Sequence, residues 1–263
     1  MSFRRSQNRP GKFTTCLKVP AFYSAYAVFG IVGAATSVGC MLASVFLRGP
    51  AVQKWGQKFI HRLFRFFLWY ACILKLVEVD VSDLEKFKNS HGVIFVANHP
   101  SLLDVVLVIA QIPNMICLMK PSLTHNLVFS GQARLAGYIP GDRRITLVKS
   151  CREKLAHGGN LLIFPEGTRS PSSVVGPFKM GFAVIAKTSK APVQCLTISV
   201  SDHYLGKKYS FFKRPSLPIR CTVRAGKRYE STECEDARDF GLCVEANYKT
   251  VTNQISHPVS LEI

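Results

Sequence analysis

The chain has 263 residues, enough for one sizeable α/β domain plus an accessory segment. It is 48% apolar with a mean hydropathy of +0.15, high for a soluble protein, and its 34 Lys and Arg against 16 Asp and Glu leave a net charge of +18. That excess suits nucleic acid, a phospholipid surface or an acidic substrate, while nine scattered cysteines without a C-x-x-C pair argue against a disulfide framework or a zinc site and point to a reducing compartment.

Residues 1–18 form a basic tail carrying Arg4, Arg5, Arg9, Lys12 and Lys18 and no acid. Residues 19–47 then contain no charge at all. About 20 apolar residues suffice for a helix to cross the hydrocarbon core, so this run predicts a transmembrane helix. It is too long for the core of a cleaved signal peptide. In residues 51–77, Val52, Trp55, Phe59, Leu63, Phe66 and Tyr70 recur at steps of three and four, with Lys54, Lys58, Arg62 and Arg65 between them. This is a basic amphipathic helix whose second half, FFLWYACIL, is apolar on every side. Residues 19–77 thus read as a membrane-anchoring pair: one spanning and one interfacial helix, or a hairpin dipping into one leaflet. Lys and Arg lie on both sides of the first run, so their balance fixes no orientation.

From residue 78 onward the pattern is that of an α/β domain, residues 78–263. Strands are predicted at 77–81, 93–97, 116–119, 161–164, 193–200 and 219–223, with helices at 102–112, 146–157, 178–189 and 237–251. Strands alternating with helices imply a mixed sheet flanked by helices. Lys207, Lys208, Lys213 and Arg214 surround Tyr209, Phe211 and Phe212, a mixture that suits a membrane interface and also single-stranded nucleic acid. The apolar N-terminus favours the membrane, with no nucleic acid as partner.

Two stretches could carry chemistry. Asn98-His99-Pro100-Ser101-Leu102-Leu103-Asp104 follows the apolar run GVIFVA. Residues five apart do not share a helix face, but across a turn opening into a helix the Asp104 carboxylate can fold back on the His99 imidazole. Ser101 can cap that helix. The carboxylate would then fix the tautomer and leave the other ring nitrogen as a base. The bland alternative is a loop histidine beside a helix N-terminal aspartate. The second stretch, Phe164-Pro165-Glu166-Gly167-Thr168-Arg169-Ser170, follows LLI. Its glycine, hydroxyls and arginine suit an oxyanion or a phosphate; as an isolated pattern it is also a plain turn. The other histidines show no metal-ligand spacing, and no G-x-S-x-G nucleophile elbow occurs.

Together these stretches resemble the glycerophospholipid acyltransferase family, which includes the lysophosphatidate acyltransferases. His99 and Asp104 match its H-x4-D motif, and residues 164–170 match its F-P-E-G-T-R-S motif. Gly137-Tyr138-Ile139-Pro140-Gly141-Asp142-Arg143 looks like its middle motif, Lys120 falls where the family carries a lysine after its second strand, and Phe178-Lys179-Met180-Gly181 looks like its F-K-x-G element. The resemblance covers roughly residues 78–225. The family's last motif departs: Ala191-Pro192-Val193-Gln194-Cys195-Leu196 lacks the second proline, which bears on the acceptor more than on the chemistry.

The resemblance implies a mechanism. His99, held by Asp104, deprotonates an acceptor hydroxyl, and the alkoxide attacks the thioester of acyl-CoA or acyl-carrier protein. Glu166, Gly167, Thr168 and Arg169, with Arg143 and Lys120, hold the acceptor's phosphate. No metal, cofactor or covalent enzyme intermediate is implied, the thioester being a co-substrate. The expected acceptor is 1-acyl-glycerol-3-phosphate, giving phosphatidic acid. A lyso-ornithine lipid, a specialised polyketide-type lipid, or a non-catalytic role in binding anionic lipid stay open. The expected location is a membrane, with the catalytic domain on its cytoplasmic face.

Overall fold

A computed structural model of the chain describes residues 12–141, 144–170, 175–201 and 216–256. Arg143, the basic residues of the tail up to Arg9 and the Lys207–Arg214 cluster lie outside them.

Two long helices come first, α1 (Lys12–Phe46) and α2 (Pro50–Ile73). The stretch Pro20–Phe46 of α1 is long and apolar enough to cross a membrane. The chain then alternates β1 (Val77–Asp80), β2 (Ile94–Ala97), α3 (Leu103–Ile109), β3 (Met115–Met119), α4 (Ser130–Leu135), β4 (Ile139–Pro140), α5 (Arg144–Ala156), β5 (Asn160–Ile163), α6 (Gly181–Ser189), β6 (Val193–Val200), β7 (Ile219–Tyr229) and α7 (Ala237–Ser256). The strands form one mixed sheet in the order β1-β7-β6-β2-β5-β3-β4. β6, β2, β5, β3 and β4 run parallel, while β7 is antiparallel to β6 and carries β1 parallel to itself.

Side chains alternate across the pleat. Phe95 and Ala97 of β2 face α1, α2 and α3, together with Leu162 and Cys117. Ile94 and Val96 face α5, α6 and α7, together with Leu161 and Ile163. The result is three layers with the sheet in the middle, and both faces of β2 are dry. Fully burying one such Ile or Phe contributes about 1.5–3 kcal/mol.

The N-terminal helices are fastened to this domain rather than free of it. A Cβ on Gly131 of α4 would lie 1.9 Å from the Ser37 carbonyl oxygen, so only glycine lets α4 sit this close to α1. The Gly131 amide donates to Ser37 Oγ at 2.9 Å, and Gln132 Nε2 donates to the Gly33 carbonyl and Thr36 Oγ1. On α2, Gln57 Nε2 donates to the Ala136 carbonyl just past α4. The opposite face of α1 leaves Ile31, Val38, Leu42 and Phe46 exposed.

The six predicted strands and four helices of the α/β part are present. β7 continues past Val223 to Tyr229 because its antiparallel pairing with β6 runs on, across a register shift between Gln194 and Leu196, to the Val193–Tyr229 pair. α6 begins at Gly181 rather than Phe178: its first turn closes on the Met180 carbonyl, which accepts from the Ala183 and Val184 amides, while the Lys179 amide ties the preceding segment to the Pro165 carbonyl. α4 and the two-residue β4 had no expectation.

Candidate active site

β2 and β5 are neighbours in register, Val96 opposite Ile163, so the loops leaving their carboxyl ends emerge side by side. Crevices outside the carboxyl ends of parallel strands are where open α/β sheets bind ligands. This explains how two stretches 67 residues apart meet.

His99 and Asp104 are in contact. The Nδ1–H of His99 donates to Asp104 Oδ2 at 2.8 Å. Asp104 also accepts from the Ser101 amide at 2.8 Å and from the Ser101 hydroxyl at 3.0 Å. Ser101 Oγ in turn accepts the Leu103 amide, so serine and aspartate cap the start of α3 reciprocally. Asp104 is fully buried, and that burial pushes its carboxyl up from the ordinary carboxylate range against the pull of His99 and Ser101. With Nδ1 held, Nε2 of His99 has no hydrogen-bond partner among the described residues. The ring stacks on Phe164 with centroids 4.2 Å apart, which fixes its plane.

The second loop braces the first. The Ser170 amide donates to the His99 carbonyl at 2.8 Å, and Glu166 Oε1 accepts from the His99 amide at 3.4 Å and from Ser170 Oγ at 2.7 Å. Glu166 Oε2 accepts the Gly176 amide at 3.0 Å. Glu166 is thus buried and turned inward, apart from the cavity that Gly167, Thr168 and Arg169 line. Gly167 adopts φ +68, where a side chain is strained, and its amide closes a tight turn onto the Phe164 carbonyl. That amide is therefore occupied. Thr168 enters no hydrogen bond among the described residues.

A third set of contacts was invisible in the sequence. Asn98 Nδ2 donates to the Ile198 carbonyl and Asn98 Oδ1 accepts the Ile198 amide, tying the residue before His99 to β6. The Asn98 amide donates to the hydroxyl of Tyr248 on α7 at 2.8 Å, and that hydroxyl reaches the Leu196 carbonyl at 2.5 Å. A separation of 150 residues leaves no local signal for this pairing.

These elements open onto a cavity of about 960 Å³. Its apolar wall includes Phe22, Phe29 and Val32 of α1 and Leu63, Phe67 and Tyr70 of α2, and its polar end holds His99, Thr168, Arg169 and Lys120. Lys120 thus joins the site; Arg143 lies outside the described residues. The sequence marks α1 and α2 only as membrane-anchoring helices, since apolarity alone does not distinguish lipid from a ligand. Among the described residues no cluster of His, Cys, Asp and Glu has the arrangement of a metal site.

Residues 78–199 match the family model described as Acyltransferase. A 1-acyl-sn-glycerol-3-phosphate acyltransferase of Helicobacter pylori (strain J99) is 33% identical over 135 residues, covering 49% of this chain and 56% of the relative. A mouse 1-acyl-sn-glycerol-3-phosphate acyltransferase alpha is 27% identical over 173 residues, covering 62% and 59%. The chain therefore spans little more than half the length of these curated relatives. The crystal structure of the 1-acyl-sn-glycerophosphate acyltransferase PlsC from Thermotoga maritima superposes with a TM-score of 0.63 over 93% of this chain and 96% of that one, at 21% identity, which speaks for the fold.

Proposed function

We propose that the chain is a member of the acyltransferase family whose model matches residues 78–199 and that it transfers a fatty-acyl chain from a thioester to the free hydroxyl of 1-acyl-glycerol-3-phosphate, giving phosphatidic acid. One observation carries the reading: a histidine oriented by a buried aspartate presents its second ring nitrogen to a large cavity, apolar along most of its wall and cationic at the histidine's end.

His99 Nε2 takes the proton of the acceptor hydroxyl. Asp104 holds the tautomer through Nδ1 and stabilises the imidazolium that forms. The alkoxide oxygen attacks the thioester carbonyl, a tetrahedral oxyanion forms, and collapse expels the thiolate, which receives the proton back from His99. Such general-base work supplies about two to four orders of magnitude. Thr168, with its amide and hydroxyl unpartnered among the described residues, is suited to donate to the oxyanion. Arg169 and Lys120 hold the acceptor's phosphate. Glu166 has a different task from the phosphate contact that the family motif implied: it pins the His99 amide to the second loop. The apolar cavity takes the acyl chain. The donor is acyl-CoA or acyl-carrier protein, with no further cofactor.

The exposed apolar face of α1 and the basic, tryptophan-bearing surface of α2 support a membrane location, with residues 19–77 as the anchor, residues 78–263 as the acyltransferase domain and that domain on the cytoplasmic face. The test is to supply labelled acyl-CoA with lysophosphatidate and to compare the protein with its Asp104→Asn variant. Labelled phosphatidic acid formed by the parent, and reduced by about two orders of magnitude or more in the variant, supports the reading. Labelled product only with an acceptor lacking a phosphate would replace the acceptor assigned here.

A further inference from the structure

We infer that Lys179 binds the acceptor's phosphate, as a third cation alongside Arg169 and Lys120. The inference rests on the proposed acyl transfer and deepens it. Lys179 sits in a short turn between two apolar anchors, Phe178 and Phe182, both buried against α7 and the sheet. Its amide donates to the Pro165 carbonyl at 2.8 Å, locking this turn to the F-P-E-G-T-R-S loop. With the flanking rings pointing inward, the lysine side chain is directed out along that loop.

Its path is recorded by Gly167. A Cβ built on Gly167 would meet Lys179 Nζ at 2.6 Å, Cε at 3.0 Å and Cδ at 3.2 Å. The ammonium thus lies over the glycine itself, beside Thr168 and Arg169. The missing side chain at residue 167 serves two needs, the positive φ of the turn and the passage of this lysine.

The charge balance points to an anion. Among the described residues, those lining the cavity include Lys120, Arg169 and Lys179, and no Asp or Glu. Lys179 makes neither a side-chain hydrogen bond nor an ion pair among the described residues. The carboxylate of the same loop, Glu166, faces the other way onto Ser170 and Gly176. A phosphate monoester carries about −1.5 to −2 charges at pH 7. An Arg fork with lysine point charges meets that need with matched geometry and charge.

The test separates binding from turnover. Lysophosphatidate affinity is measured on the His99→Ala protein, with and without Lys179→Met or Lys179→Arg, beside monoacylglycerol, which has the same chain and no phosphate. Lys179→Met should weaken lysophosphatidate at least tenfold and monoacylglycerol less than twofold, with Lys179→Arg recovering most of the loss. On the His99-containing protein the same variant should raise the KM for lysophosphatidate and leave that for acyl-CoA unchanged. Equal weakening of both lipids, no weakening, or a rise confined to the acyl-CoA KM would each overturn the assignment. If the parent protein turns over no lysophosphatidate while the phosphate-specific loss in binding appears, the proposed reaction fails and the Lys179 site stands.

Discussion

Replacing Tyr248 with Phe removes one oxygen from the joint between α7, β6 and the loop that carries His99. That oxygen accepts the Asn98 amide at 2.8 Å and reaches the Leu196 carbonyl at 2.5 Å. Both residues are buried. An unsatisfied buried donor or acceptor costs about 1–3 kcal/mol. The Asn98 side chain keeps both bonds to Ile198, so the loop stays in place but loosens. A loss of about 2 kcal/mol follows for the stranded Asn98 amide, and at about 2–4 °C per kcal/mol for a chain of this size the melting temperature should fall by about 4–8 °C. Tyr229 supplies the control, because its hydroxyl is equally buried but has no hydrogen-bond partner among the described residues. Tyr229→Phe strands nothing and should melt at or above the parent temperature. The assay is thermal unfolding in detergent of the three proteins, followed by near-ultraviolet circular dichroism. Turnover should show Tyr248→Phe with a reduced kcat and a little-changed KM, since the change acts on the placing of His99. Equal melting temperatures for the two variants, or a larger drop for Tyr229→Phe, would refute the reasoning.

Other consequences follow from contacts elsewhere. Gly131→Ala drives a Cβ to 1.9 Å from the Ser37 carbonyl, whereas Gly30→Ala meets nothing within 4 Å. The first should destabilise by about 1–3 kcal/mol or more and free α1 to limited proteolysis; the second should be neutral or stabilising by up to about 1 kcal/mol, and reversal of that order would contradict the α1–α4 packing. At the sheet edge, the Arg224 guanidinium and then Ser82 hold the Asp80 carboxyl down from 3.8 to about 2. A depressed acid lends stability above its unfolded value and loses it as pH falls through the folded one. The gap in melting temperature between the parent and Asp80→Asn should therefore close between pH about 4 and about 2; a gap constant across that window would sink the assignment. Burial pushes the thiols of Cys117, Cys151, Cys195 and Cys221 up to about 12. Exposed Cys243 should take up maleimide at pH 8 well before any of these four, which should react only on unfolding; mass mapping of the labelled protein decides this.

The parts legible in the sequence were those with a short-range signature. Strands such as Ile94–Ala97 are apolar because both faces are covered, and a 29-residue uncharged run needs no partner to be recognised. The His99–Asp104 contact could be anticipated because a turn and a serine cap lie between the two residues. What depended on distant partners stayed hidden. Glu166 sits within the F-P-E-G-T-R-S motif, yet only the fold shows its carboxylate turned onto Ser170, His99 and Gly176. Tyr248 is one of eight tyrosines, and nothing nearby marks it as the one beneath Asn98. α4 is six residues long and is held by its contact with α1, so neither its length nor its periodicity announced it. Phe22 and Phe29 of α1 lay unremarked in the apolar run because the cavity they line exists only once α1 is laid against the domain.

The central claim is that His99 draws a proton from a lipid hydroxyl so that it can attack a thioester. Thiol release from long-chain acyl-CoA by the detergent-solubilised protein, with and without lysophosphatidate, tests this beside His99→Ala. The account predicts release that requires lysophosphatidate and falls by at least about two orders of magnitude without the imidazole, while the variant stays folded and membrane-associated. Release by His99→Ala at the parent rate would contradict it, because the base would then lie elsewhere.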